Sequence, residues 1–87
     1  MKISYTKNFV KFSKKLSPKL RVQMIERITL FSVNPLDPEL RDHRLKGKYK
    51  QYRSIDITGD YRALYLLQGD EVIFDVVGPT LIYMNRF

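Results

Sequence analysis

Apolar residues near the start of the chain first alternate with polar ones and then repeat at helical spacing. The segment KISY, residues 2–5, alternates as a short strand does. Thr6 can cap a helix. Behind it, an apolar stripe recurs at intervals of three and four residues: Phe9, Phe12 and Leu16. The pattern predicts a strand followed by an amphipathic helix.

A second helix is predicted to begin after Ser17. Serine is a favoured N-cap, and Pro18 stands at the favoured first position. Five apolar residues then form a helical stripe: Leu20, Met24, Ile25, Ile28 and Phe31. Asn34-Pro35 ends the helix, because the residue before a proline avoids the helical backbone. The short joint between the helices predicts an antiparallel hairpin.

The second half of the chain predicts a loop and then strands. Residues 35–48 contain two prolines, many charges and Gly47, so we expect a loop. Three strands follow, at residues 49–57, 61–67 and 71–78, joined by the tight turns TGD and QGD. Residues 79–87 are expected to form a short strand or an irregular tail. The order β-α-α-β-β-β predicts an α+β fold, with the helical hairpin packed on one face of a small antiparallel sheet.

Alternation along these strands places an arginine on each of two apolar faces. Arg53 shares a face with Ile55, and Arg62 shares a face with Leu64. We expect both arginines to lie at strand ends and to point outward at the rim of the sheet.

Length and composition indicate one globular domain, residues 1–87, of which 44% are hydrophobic. The chain has no cysteine, which excludes disulfides and thiolate metal sites. No apolar run approaches the roughly 18–20 residues of a membrane span, and the N-terminus lacks the apolar region of a signal peptide. We therefore expect a cytoplasmic protein with no membrane partner.

The charge balance adds a preference for anionic partners. The formal net charge is +7, and residues 1–21 hold seven Lys/Arg and no acidic residue. A basic surface attracts phosphate backbones and acidic proteins. Composition therefore favours contact with nucleic acid or the ribosome.

Metal and cofactor sites have no signature in the sequence. A single histidine without cysteines cannot fill a zinc shell, and no acidic cluster has the spacing of a calcium loop. No glycine-rich nucleotide-binding motif occurs. The sequence predicts no metal and no cofactor.

Residues 41–65 concentrate the side chains that metal-free RNA cleavage requires, namely a base, a phosphate-binding cation and an acid. Three residues of this segment can exchange protons: His43, Asp56 and Asp60. Five can hold phosphate: Arg53, Arg62, Lys46, Lys48 and Lys50. Three tyrosines of the segment, and one near the C-terminus, can stack on bases: Tyr49, Tyr52, Tyr61 and Tyr83. A loop hydrogen bond for His43 and turn geometry for Asp60 are the structural alternatives.

The helical hairpin, followed by DHRLKG, YRSIDITGDYRALY and VIFDVVGPTLIY, resembles the RelE/ParE toxin superfamily, and most closely its YafQ-like branch. The resemblance spans essentially the whole chain. It implies a RelE-like fold and a toxin of a type II toxin–antitoxin pair. Members of this branch are ribosome-dependent mRNA endoribonucleases (mRNA interferases) that act without metal, whereas ParE-like members inhibit DNA gyrase.

The resemblance carries over to individual residues. His43 matches the loop histidine of the family, Asp60 matches the aspartate after the turn, and Tyr61 takes a position often held by tryptophan. Arg53 and Arg62 match basic residues of the strands. The implied catalytic set is His43, Asp60, Arg53 and Arg62. The implied substrate-binding set is Lys46, Lys48, Lys50, Tyr49, Tyr52, Tyr61, Thr80 and Tyr83.

Two departures from the family pattern leave three hypotheses open. Asp56 stands where YafQ-like toxins often have a second histidine, and GPTLIY places Thr80 nearest to a terminal histidine of the family. Threonine cannot act as a general acid or base at neutral pH. The chain is an active mRNA interferase that uses His43 and Asp60, a weak or inactive relative that binds ribosome or antitoxin, or a ParE-like gyrase inhibitor.

The resemblance also implies partners. A cognate antitoxin would cover the basic site with an extended or helical acidic segment. The ribosome and mRNA are the implied targets.

Overall fold

Two helices and five strands build the part of the chain that the computed structural model describes, residues 1–80. In chain order they are β1 (Lys2–Tyr5), α1 (Lys7–Ser13), α2 (Pro18–Val33), β2 (His43–Arg44), β3 (Arg53–Asp56), β4 (Tyr61–Gln68) and β5 (Glu71–Pro79). None of the helices in these residues is long and apolar enough to cross a membrane.

The strands form one sheet in the order β1-β5-β4-β3-β2. Strands β2 to β5 pair antiparallel, but β1 runs parallel to β5. The predicted α+β fold is confirmed, with the correction that the sheet is mixed. The reason is that the two helices and strands β2 to β4 lie between β1 and β5 in the chain, and a connection this long allows the two strands to run in the same direction.

The helix ends follow the local signals in the sequence. The Thr6 hydroxyl accepts a hydrogen bond from the backbone N–H of Phe9 at 3.1 Å, and the Ser17 hydroxyl accepts one from Leu20 at 3.2 Å. Both caps satisfy amide groups that have no partner within the helix. Helix α2 ends at Val33, before Asn34-Pro35, as predicted.

The segment predicted to be a loop contains more structure than expected. Residues 35–48 include a short 3₁₀ helix, Pro38–Leu40, and the two-residue strand β2. A second 3₁₀ helix, Gly47–Tyr49, replaces the start of the strand predicted at 49–57. Gly47 begins this turn with a positive φ of 64°, which glycine adopts readily.

The strands predicted at residues 61–67 and 71–78 are confirmed as β4 and β5, and each is one residue longer than predicted. Of the terminal segment predicted at 79–87, only Pro79 and Thr80 belong to the described residues, and Pro79 ends β5.

The main hydrophobic core lies between the helices and one face of the sheet, which we call the helix face. Phe31 of α2 packs against Tyr65 and Phe74, with ring centroids 5.1 and 5.8 Å apart. The apolar stripe of α2 buries Met24, Ile28 and Phe31, but Ile25 is 59% exposed. Ile25 follows Met24 by about 100° around the helix, which turns it away from the sheet.

The opposite face of the sheet, which we call the open face, carries a second and smaller cluster. Leu45 and Leu64 are buried there, beneath Tyr49, Tyr52 and Val76. The candidate site lies on this open face.

Candidate functional site

Arg62 is the buried cation at the centre of the site. It lies on β4 directly opposite Asp56 of β3, and its Nη2 atom is 2.6 Å from Asp56 Oδ1. Its side chain is only 5% exposed, so the prediction that Arg62 points outward at the rim is wrong. The backbone carbonyl of Arg41 accepts a further hydrogen bond from Nη2 at 3.3 Å. Burial lowers the pKa of Arg62, and the charge of Asp56 acts in the opposite direction.

His43 lies beside Arg62, and its contact with a backbone carbonyl favours one tautomer. Its Nδ1 atom is 2.9 Å from the carbonyl oxygen of Arg41. A carbonyl can only accept, so we assign the proton to Nδ1, which leaves Nε2 unprotonated in the neutral ring. Arg62 Nη2 and Nη1 lie 3.2 and 3.5 Å from Nδ1 and Nε2. The two nitrogens point in different directions in the ring plane, so one guanidinium reaches both only by lying against the ring face.

Arg41 holds both of these residues through its backbone. Among residues 1–80 it is the one non-glycine residue with a positive φ, at φ 49° and ψ 44°. Its own side chain is 75% exposed, and its Nε atom lies 3.5 Å from Asp56 Oδ2. Left-handed backbone usually belongs to Gly, Asn or Asp. For this reason, no signal in a single sequence marks Arg41.

Asp42 ties the same segment to the helix face. Its carboxylate pairs with Arg53 Nε at 2.9 Å and accepts a hydrogen bond from the hydroxyl of Tyr65. Burial lowers the pKa of Arg53, but Asp42 outweighs this effect, so the pKa is raised. Burial and the bond to Asp42 raise the pKa of Tyr65. Arg53 and Arg62 therefore lie on different faces of the sheet, each paired with its own aspartate.

The structure does not bring Asp60 into contact with His43. Asp60 is exposed in the turn between β3 and β4, and its carboxylate has no hydrogen bond or ion pair with residues 1–80. Its backbone carbonyl accepts a hydrogen bond from the N–H of Thr80 at 2.6 Å. The Thr80 hydroxyl is buried and has no partner among the described residues. Asp60 and Thr80 thus meet through their backbones, where the turn joins the end of β5.

Tyr61, one of the predicted base-stacking tyrosines, is not part of the open face. Tyr61 packs against the main core and lines a cavity of about 400 Å³ with Phe12, Leu20 and Pro79. Tyr83 lies outside the described residues. Of the predicted stacking set, Tyr49 and Tyr52 therefore lie on the open face and Tyr61 lies on the side of the main core.

Residues 46–52, which we call the basic lobe, bring the other predicted contacts together on the open face. The rings of Tyr49 and Tyr52 are 6.2 Å apart, and Lys48 Nζ lies 5.3 Å from the Tyr49 ring centre. Lys46, Lys48 and Lys50 are exposed around them. The Tyr52 hydroxyl donates to Asp75 Oδ2 at 2.6 Å. Burial, followed by this hydrogen bond, raises the pKa of Tyr52 to about 12.

Metal ligands are not grouped in the described residues. Within residues 1–80, no three His, Cys, Asp or Glu side chains are arranged to hold a metal ion. The chemistry available at this site is that of His43, the arginines and the nearby carboxylates.

Comparisons with known proteins agree with this fold. The chain is similar to the crystal structure of YafQ from E. coli strain BL21(DE3), with 24% identity, a TM-score of 0.77 and coverage of 94% of this chain and 96% of that one. The YafQ chain of the E. coli DinJ-YafQ toxin-antitoxin complex gives 23% identity, a TM-score of 0.75 and 94% coverage of each chain. A copper-bound mutant toxin from Helicobacter pylori gives 32% identity and a TM-score of 0.65, over 92% of this chain and 94% of that one.

Family membership follows from a match over nearly the whole chain. A comparison with the curated proteins finds no match. The family model described as the bacterial toxin of type II toxin-antitoxin system, YafQ, matches residues 1–79. The chain therefore belongs to the YafQ family of bacterial toxins of type II toxin–antitoxin systems.

Proposed function

We propose that this toxin is a ribosome-dependent mRNA endoribonuclease that cleaves RNA without a metal ion. The observation that carries the proposal is the cluster on the open face. There, His43, whose Nε2 atom we assign as unprotonated, lies against the Arg62 guanidinium, and the exposed Arg41 shares Asp56 with Arg62. A base next to fixed positive charge is the arrangement that phosphodiester cleavage by the 2′-OH requires.

In this mechanism His43 Nε2 accepts the proton of the 2′-OH. The resulting oxygen attacks the adjacent phosphorus, a 2′,3′-cyclic phosphate forms, and the bond from phosphorus to the 5′ oxygen breaks. The leaving 5′ oxygen takes up a proton from water, for which the exposed Asp60 carboxylate is the candidate positioning group. Arg62 supplies positive charge beside His43, and Asp56 holds Arg62 in place rather than exchanging a proton. Arg53 lies on the helix face, paired with Asp42, and adds positive charge only at longer range.

The basic lobe is the proposed holding surface for the RNA strand. Tyr49 and Tyr52 offer ring faces for stacking, and Lys46, Lys48 and Lys50 offer charge to the phosphates. Tyr52 and Asp56 are four residues apart in the chain, which is roughly 13 Å along a strand. An RNA strand on the open face can therefore contact the lobe and the His43 cluster together. Tyr61 packs against the main core and the Thr80 hydroxyl is buried, so neither is part of this proposed surface.

A cognate antitoxin is the proposed regulatory partner in the cytoplasm. The structure of the E. coli relative is that of a DinJ-YafQ toxin-antitoxin complex. The net charge of +7 suits a partner with an acidic segment. By covering the open face, such a segment would block access of RNA to His43.

The test is a translation reaction containing purified toxin, ribosomes and one defined mRNA. Primer extension maps cleavage with and without ribosomes. Wild type should cut only with ribosomes. His43→Ala should cut at least about 100-fold more slowly than wild type, as expected for the loss of a general base. Asp60→Ala should also be slowed. Its matched control is Asp70→Ala, which removes an exposed aspartate from the turn between β4 and β5 and should leave cleavage unchanged.

Two results would replace the proposal. A folded wild-type protein that binds ribosomes or antitoxin but leaves the mRNA uncut would be a binding protein without nuclease activity. Intact mRNA together with gyrase-dependent DNA breaks would identify a gyrase inhibitor.

A further inference from the structure

We propose that Arg41, a residue outside every motif in the sequence, binds a phosphate of the RNA substrate at the entrance to the site. This assignment rests on the proposed function, because it names the group that receives the RNA strand beside His43. The argument has three parts: the exposure of Arg41, the weakness of its present ion pair, and the backbone that fixes its position.

Exposure separates Arg41 from the two arginines that the sequence predicted. The side chain of Arg62 is 5% exposed and that of Arg53 is 36% exposed, and each pairs with an aspartate at 2.9 Å or less. The Arg41 side chain is 75% exposed. An incoming phosphate therefore meets the Arg41 guanidinium first, and arginine can bind phosphate with two parallel hydrogen bonds.

The ion pairs of Asp56 differ in strength. Asp56 lies 2.6 Å from the buried Arg62 but 3.5 Å from the exposed Arg41. Exposed ion pairs add little or nothing measurable to stability, whereas breaking a buried pair leaves an uncompensated charge. A phosphate can therefore replace Asp56 at Arg41 while Arg62 keeps its partner.

The backbone of Arg41 explains why its side chain is well placed for this role. Left-handed backbone is unfavourable for a residue with a side chain. At Arg41 it directs the carbonyl oxygen to His43 Nδ1 and Arg62 Nη2, at 2.9 and 3.3 Å. The same residue thus orients the base through its carbonyl and offers an exposed cation 3.5 Å from Asp56, the partner of Arg62.

The experiment measures binding without cleavage. Ribosomes are programmed with an mRNA that carries 2′-O-methyl nucleotides and cannot be cut, and the affinity of the toxin for these ribosomes is compared with its affinity for ribosomes without mRNA. Arg41→Gly removes the guanidinium and keeps the left-handed backbone, because glycine adopts it freely. The matched control is Arg44→Ala. Arg44 is an exposed arginine of β2 that shares its face with Arg53 and not with His43.

We expect Arg41→Gly to lose about 10- to 100-fold in affinity for programmed ribosomes, as for the loss of a charge-assisted hydrogen bond. The loss should be absent on ribosomes without mRNA. The slope of log affinity against log salt should fall by about 0.7, the value for one phosphate contact on a single strand. Arg41→Lys should recover part of the affinity, and Arg44→Ala should match wild type.

Three outcomes would overturn the assignment: an unchanged affinity in Arg41→Gly, an equal loss on ribosomes without mRNA, or an equal loss in Arg44→Ala. Cleavage of unmodified mRNA by the same preparations separates this inference from the proposed function. Wild type that binds through Arg41 but does not cut refutes the nuclease and keeps the phosphate contact. If wild type cuts the mRNA and Arg41→Gly binds programmed ribosomes normally, the nuclease is kept and the phosphate contact of Arg41 is refuted.

Discussion

Asp42 is the residue that connects the candidate site to the main core. It precedes His43, and its carboxylate contacts Arg53 and the hydroxyl of Tyr65. Tyr65 as a whole is only 3% exposed. Through these contacts the segment that carries Arg41 and His43 is held against a buried part of the sheet. Asp42 is therefore a positioning residue rather than a catalytic one.

We expect Asp42→Ala and Tyr65→Phe to be less costly together than the sum of their separate effects. Asp42→Ala leaves the buried Tyr65 hydroxyl without its carboxylate acceptor, which costs about 1–3 kcal/mol, and Tyr65→Phe removes that hydroxyl. The coupling free energy from urea denaturation of the single and double variants should be about 1 kcal/mol. Asp37→Ala, combined with Tyr65→Phe in the same way, is the control. The Asp37 carboxylate accepts a hydrogen bond from the backbone N–H of Glu39 and does not contact Tyr65. Additive losses for Asp42 and Tyr65 would contradict this role.

Tyr52 and Asp75 form a second polar connection, across the open face. Asp75 accepts hydrogen bonds from the hydroxyls of Tyr52 and Thr6, at 2.6 and 2.7 Å. Because Thr6 also caps α1, one carboxylate links the helix start to the basic lobe. This connection needs the Tyr52 proton.

The pH dependence of stability follows from that proton. The pKa of Tyr52 is raised from 10.0 to about 12 in the folded protein. Tyr52 therefore contributes stability that is fully present below pH 10 and is lost as the pH rises toward 12. The free energy of unfolding of wild type should exceed that of Tyr52→Phe at pH 8, and the difference should shrink between pH 10 and 12. A difference that stays constant over this interval would be inconsistent with the bond to Asp75.

At the scale of elements, helix α2 owes its start to one residue. Ser17 accepts the hydrogen bond from Leu20, and Pro18 provides a favourable backbone angle at the first position. No acidic residue lies in the first turn, so the serine cap is the main local signal for where the helix begins.

Ser17→Ala should lower the free energy of unfolding by about 1 kcal/mol, the usual cost of losing an N-cap. Ser32→Ala is the matched control. The Ser32 hydroxyl is exposed and donates to the carbonyl of Thr29 within the same helix, and its loss should change stability by less than about 0.5 kcal/mol. Chemical denaturation of both variants provides the comparison. Equal effects would show that the cap does not define the start of the helix.

Strand β2 is an element that exists only through its partner. Its two residues, His43 and Arg44, pair with Ser54 and Arg53 of β3. Two residues are too few to form a strand by their own preference. The pairing nevertheless places His43 on the open face, where Arg62 can reach it.

At the scale of the whole molecule, the sheet separates two basic surfaces. The lysines of α1 and of the turn after it are exposed on the side of the helices: Lys7, Lys11, Lys14 and Lys15. The basic lobe covers the small cluster of Leu45 and Leu64 on the open face. The hydrophobic contacts of this lobe thus hold the proposed RNA surface in place next to the site.

The predictable part of the fold is the part with local signals. Thr6, Ser17 and Asn34-Pro35 correctly mark helix ends, and the TGD and QGD turns correctly separate strands. The candidate site was predicted less completely. His43 and Arg62 do meet, but Asp42 and Arg41 were missed because their roles depend on contacts with residues 11 to 23 positions away.

The sequence alone determined the two helices and the strands β1, β3, β4 and β5 in their order, the basic charge and the family, because caps, turns, alternation and motifs are properties of neighbouring residues. The tertiary structure decided that β1 pairs parallel to β5, and that Asp56 is the partner of a buried Arg62. It also decided that Arg41, and not Arg62, presents its side chain to the solvent. These outcomes depend on which distant segments cover each other, and burial and ion pairing exist only once the chain has folded.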